Sequence, residues 1–144
     1  MPSLSPQASM GATTNQAVPP LEDKNSTIDC SGWEADAKTI LREQGSITIN
    51  KQKFQVATFA CGASDSELST EFVESFVFAK GVWASNGLVS GTDQPFITTG
   101  SCQSTETQIK CPVKVLSANA ETDPAGTLVI FEQDGGLAWR VDLN

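Results

Sequence analysis

Four cysteines in a chain of 144 residues constrain this fold more than any other feature of the sequence. Cys30, Cys61, Cys102 and Cys111 follow one another at spacings of 31, 41 and 9 positions. None belongs to a C-x-x-C pair of the kind that zinc ribbons and redox motifs require. The chain contains no His, so a structural zinc would need all four thiolates, one of them far away in sequence. No metal and no cofactor is expected. Two readings of the cysteines remain, four buried thiols in a reducing compartment or two disulfides in an oxidising one, and two disulfides is the expectation carried forward.

Charge and hydropathy narrow the surroundings. Nine Lys and Arg stand against 17 Asp and Glu, and the net charge of −8 repels polyphosphates and anionic headgroups, so nucleic acid is not an expected partner. No run of about 18 apolar residues occurs, because the best candidate, around residues 72–84, is broken by Glu74, Lys80 and Gly81. The start lacks the basic and apolar regions of a signal peptide. Either the protein is cytosolic or an export signal has been removed, and the disulfide reading of the cysteines makes a secreted or envelope-anchored protein the expectation. Residues 1–20 hold four of the seven prolines and no charged side chain, a composition too poor in apolar surface to offset its own ordering entropy. They read as a disordered Pro/Ser/Thr/Ala tether, and residues 21–144 as one domain.

Within that domain the first element expected is a helix. Ser31 and Glu34 stand in the S-x-x-E capping relation, and Trp33, Ala37, Ile40 and Leu41 recur at helical spacing. Gly45 reads as its stop, which makes residues 32–44 one amphipathic helix. Composition then turns to β-formers. Ile47 and Ile49 alternate with polar residues, residues 50–53 read as a turn, and residues 54–61 as a second strand. Residues 71–83 fit either a helix or a strand, and the Lys80-Gly81 turn signal favours the strand. Residues 96–102 and 108–116 read as one hairpin, and residues 128–133 and 137–143 as another, closed by Asp134-Gly135-Gly136. The sum is an α+β domain, one helix packed on a largely antiparallel sheet of about six to eight strands. In that layout Cys102 and Cys111 face each other across a hairpin, and Cys30 at the head of the helix meets Cys61, closing loops worth about 3 and about 4 kcal/mol.

The missing side chains limit the chemistry. With neither His nor Tyr present, no His-based triad and no tyrosine acid can be built. No serine sits in a G-x-S-x-G or S-x-x-K arrangement, and no phosphate-cradling glycine loop occurs. Asp65, Glu67, Glu71, Glu74, Asp123, Glu132 and Asp134 could supply a glycosidase pair, but no spacing singles out two of them. Trp33 and Trp139 fall on apolar faces and read as core, whereas Trp83, flanked by two turn signals, is the candidate contact residue. Lys110-Cys111-Pro112-Val113 places a braced segment beside a basic residue, as inhibitors of secreted proteases do, although a plain hairpin disulfide is the better explanation.

The order of these features resembles actinobacterial envelope lipoproteins of the LppP/LprE type. The similarity runs through the Ser/Thr/Pro/Ala tether, Cys30 before a helix, a strand carrying Cys61, Phe78-Ala79-Lys80-Gly81 entering a turn, Cys102, and the last hairpin around Asp134-Gly135-Gly136. It implies a lipid-anchored envelope protein, with the lipidated Cys upstream of Met1, and it transfers no catalytic residue. The functional expectation is a non-catalytic extracytoplasmic binding domain, a monomer that engages an envelope protein or a small ligand and meets the membrane only through its anchor. The alternative is a carboxylate-dependent enzyme acting on a cell-wall sugar or peptide, which requires two acidic side chains about 5 to 10 Å apart in a pocket.

Overall fold

The structure, a computed structural model, describes residues 18–30, 36–64, 68–89, 95–116 and 123–144. The described strands are β1 (Lys38–Ile49), β2 (Gln52–Gly62), β3 (Leu68–Ala79), β4 (Val82–Leu88), β5 (Phe96–Thr98), β6 (Gln103–Ser104), β7 (Gln108–Val115), β8 (Ala125–Gln133) and β9 (Gly136–Leu143), preceded by a single 3-10 turn, Asp23–Asn25. They form two sheets. The first is an antiparallel meander in the order β1-β2-β3-β4, and the second runs β5-β7-β8-β9 with β6 also paired to β7.

Turn chemistry sets the hairpins. Asn50 and Lys51 (φ 50° and 69°), Lys80 and Gly81 (55° and 81°), and Asp134 and Gly135 (54° and 83°) each place two successive residues at positive φ. Two-residue loops of that hand match the right-handed twist of the strands they join. The pleat then sorts side chains by face. Ile47, Val56 and Val73 point from the first sheet into a core completed by Phe96, Ile109, Cys111, Val113, Leu128 and Ile130 of the second. The opposite face of the first sheet carries Ala57, Phe59 and Phe76, and there Leu21 of the N-terminal segment covers them, with Ile28, Leu41 and Trp83 at the margin. The middle of the first sheet, along β2 and β3, is thus covered on both faces, by its partner sheet and by a strap made of residues 18–30, while β4 is largely exposed.

Two expectations are corrected here. The fold is not α+β, because no α-helix occurs among the described residues and the expected helix over residues 32–44 is absent. Its first residues, with Trp33 and the Ser31–Glu34 pair, lie outside the described residues, and from Lys38 onward the same segment is β1, in register with β2 from Lys38↔Gly62 to Ile49↔Gln52. The helical spacing of Ile40 and Leu41 arises because consecutive residues of a strand covered on both faces are both partly buried. A bulge between Leu41 and Glu43 shifts the pleat as well, and removes the alternation that would have marked a strand. Gly45 is likewise no helix stop. It lies within β1, where an added Cβ would stand 2.9 Å from Ser104 Oγ and 3.3 Å from Ile109 Cγ2, so the missing side chain lets β1 cross close to the second sheet. Of the expected tether over residues 1–20, residues 1–17 lie outside the described residues; Val18, Pro19 and Pro20 are exposed, and the Pro19 carbonyl accepts a hydrogen bond from Trp83.

Candidate functional site

The strap is built residue by residue onto the outer face of the first sheet. Proline fixes its own φ and biases the residue before it toward extended backbone, so Val18-Pro19-Pro20 is held extended by its covalent chemistry. Leu21 is buried. Asp23 then accepts a hydrogen bond of 2.8 Å from the Leu41 N–H, an amide that β1 presents at the sheet edge. Ser26 and Thr27 reach Glu74 on β3, and the Cys30–Cys61 disulfide closes the strap onto β2. The first bridge therefore ties a strap to the sheet, where the sequence suggested a helix. The second, Cys102–Cys111, joins the run into β6 to β7.

Glu74 is the strap's central anchor. Its side chain is fully buried, and its carboxylate accepts bonds from Ser26 Oγ (2.8 Å), Thr27 Oγ1 (2.6 Å), the Thr27 N–H (3.2 Å) and Ser85 Oγ (2.6 Å). A buried carboxylate is tolerated only with such a set of donors. On the opposite face of β3, Glu71 is equally buried and accepts from the Thr98 N–H (2.8 Å), Thr98 Oγ1 (2.8 Å) and Arg42 Nε (3.1 Å). Arg42 also donates from Nη2 to the Thr98 carbonyl at 3.0 Å, which ties β1 and β3 to β5 of the second sheet.

Trp83 sits where the strap begins. It faces Phe78 across the β3–β4 ladder, with ring centroids 5.1 Å apart in an edge arrangement, and its Nε1–H donates to the Pro19 carbonyl at 3.0 Å. Beside the pair an open groove of about 380 Å³ is bounded by Val18–Leu21 on one wall and by Gln44, Gln52, Lys53 and Gln55 on the other. A smaller groove of about 240 Å³ flanks the other side of the prolines, next to Glu22, Lys24, Gly81 and Val82. Trp83 is half-buried, its indole shared between strap, sheet and groove.

The remaining candidates do not converge. Glu71 and Glu74 are structural acceptors on opposite faces of one strand. Glu132 accepts from the Gly135 N–H at 2.7 Å, Asp134 forms the adjacent turn, and Asp123 precedes β8. Asp65, Glu67 and Trp33 lie outside the described residues. None of the four pockets described is lined by two carboxylates. Trp139 lies on β9, packed against the core with its ring centroid 6.3 Å from that of Phe96. Lys110-Cys111-Pro112-Val113 is interior to the second sheet, since β7 pairs with β8 on one side and with β5 and β6 on the other. A strand held on both edges cannot project as an inhibitor loop.

No protein-family model, curated protein or solved structure matches this chain. What can be said of setting and site therefore rests on its own residues. Two disulfides are the mark of an oxidising, extracytoplasmic environment. The groove beside Trp83 combines an aromatic pair, side-chain amides and one ammonium, a lining suited to holding a ligand by stacking and hydrogen bonds. The sequence pointed to Trp83 through its flanking turns. It carried no sign of Pro19, because the partnership joins residues 64 positions apart.

Proposed function

We propose that this chain is the folded part of a non-catalytic binding domain held outside the cytoplasm by a lipid anchor upstream of Met1, as its resemblance to envelope lipoproteins of the LppP/LprE type implies. The observation that carries the reading is the Phe78–Trp83 groove. It is of a size that accommodates small ligands and peptide side chains, it is open, and its lining offers contact surface with no carboxylate in it. Its partner is an envelope protein or a small envelope ligand. The two-sheet body supports the groove.

Sedimentation with purified cell-envelope material tests this directly. The domain co-sediments, Trp83→Phe weakens the association, and no soluble sugar or peptide is released. Release of such products, abolished by changing Glu132 or Asp134 to the amide, would identify an enzyme and reject the proposal.

A further inference from the structure

We infer that the Phe78–Trp83 groove recognises a proline-bearing extended peptide of another protein, and that the chain's own Val18-Pro19-Pro20 segment displays the mode of binding. The inference rests on the binding-domain reading and names its ligand class. An extended proline segment has no free N–H at its prolines, while its carbonyls stay unpaired and its rings form an apolar ridge. A site for it must supply aromatic surface and hydrogen-bond donors, and this one does both. Trp83 and Phe78 form the surface, and Trp83 Nε1–H donates to the carbonyl of the first proline of the pair. Gln52, Lys53 and Gln55 line the larger groove beside this pair.

The strap is held unevenly, and that makes exchange possible. From Leu21 to Cys30 it is fixed by burial, by Asp23, by the Glu74 clamp and by a disulfide. Pro19 accepts a hydrogen bond from Trp83 Nε1–H, and Val18 is 55% exposed. The prolines can therefore leave the aromatic pair while the rest of the strap stays in place. An incoming peptide needs the same chemistry as the segment it replaces, a Pro-Pro pair flanked by aliphatic residues.

Calorimetric titration of the full chain with the synthetic peptide Asn-Gln-Ala-Val-Pro-Pro-Leu-Glu, blocked at both ends, tests the inference. The P19A/P20A variant, which retains Leu21, the Glu74 clamp and the disulfide, binds this peptide about tenfold more tightly than the wild-type chain, whose own prolines compete. Adding W83F, which keeps an aromatic ring but removes the N–H donor, weakens binding about five- to tenfold. A peptide with both prolines changed to alanine binds at least about tenfold more weakly. In the wild-type chain at millimolar peptide, the Trp83 indole resonance shifts, a reading that does not depend on any variant folding. Absence of that shift, or equal binding of the alanine peptide, overturns the inference. Concentration-dependent self-association of the wild type, lost in P19A/P20A, would assign the groove to a second copy and also overturn it. If the peptide fails while envelope binding still depends on Trp83, the ligand class falls and the binding-domain reading stands.

Discussion

Glu71 and Glu74 lie three residues apart on β3 and are both fully buried, yet they serve different halves of the molecule. Strand alternation sends Glu71 toward the second sheet and Glu74 toward the strap. Each is satisfied by donors from elements distant in sequence, so replacing Glu74 removes interactions that no neighbour can restore. Glu74→Gln keeps the shape but turns one acceptor oxygen into a donor facing a set of donors, and it lowers the unfolding free energy by about 1 to 3 kcal/mol. The strap loosens in consequence. Trypsin cleavage after Lys24, slow in the wild type, accelerates in the variant, and urea denaturation gives the change in stability. In the sequence these carboxylates were visible only as acidic residues in a strand, where a surface position or a catalytic role would be the ordinary expectation. Their burial became intelligible once Ser26, Thr27, Ser85, Arg42 and Thr98 were seen to converge on them.

At the scale of elements, the hairpins were legible and the first segment was not. Asn50, Lys80, Gly81 and the Asp134-Gly135 pair are turn-forming residues whose chemistry acts locally, so their hairpins follow from nearest neighbours. The segment that becomes β1 obeys a non-local rule. Its amphipathic pattern is helical in isolation, but pairing with β2 along eleven residue pairs and cover on both faces override that preference. The bulge at Arg42 then turns that side chain toward Glu71. The disulfides act on different elements, and their removal separates them. Cys102→Ala with Cys111→Ala lowers stability by about 3 kcal/mol and leaves the strap as resistant to trypsin as before. Cys30→Ala with Cys61→Ala costs about 4 kcal/mol and makes the strap cleavable after Lys24. Unfolding midpoints and limited proteolysis on the two double variants distinguish these outcomes.

For the molecule as a whole, the small size of the chain explains the use of a strap. Two sheets share one core, but the outer face of the first sheet carries Phe59, Phe76 and Leu41, which would meet water if residues 18–30 were absent. The same segment that covers this face also builds a wall of the groove, so stability and binding surface come from one stretch of chain. Its prolines were read from composition as tether, and composition alone has no means of marking Trp83 as their partner. On that face Pro19 and Pro20 lie beside Trp83 and Phe78. Nuclear Overhauser contacts between the Trp83 indole and the ring protons of Pro19 and Pro20 test it most directly. Strong contacts are expected, with a Trp83 Nε1 proton protected from exchange. A Trp83 indole without those contacts, exchanging as fast as free tryptophan, would contradict it.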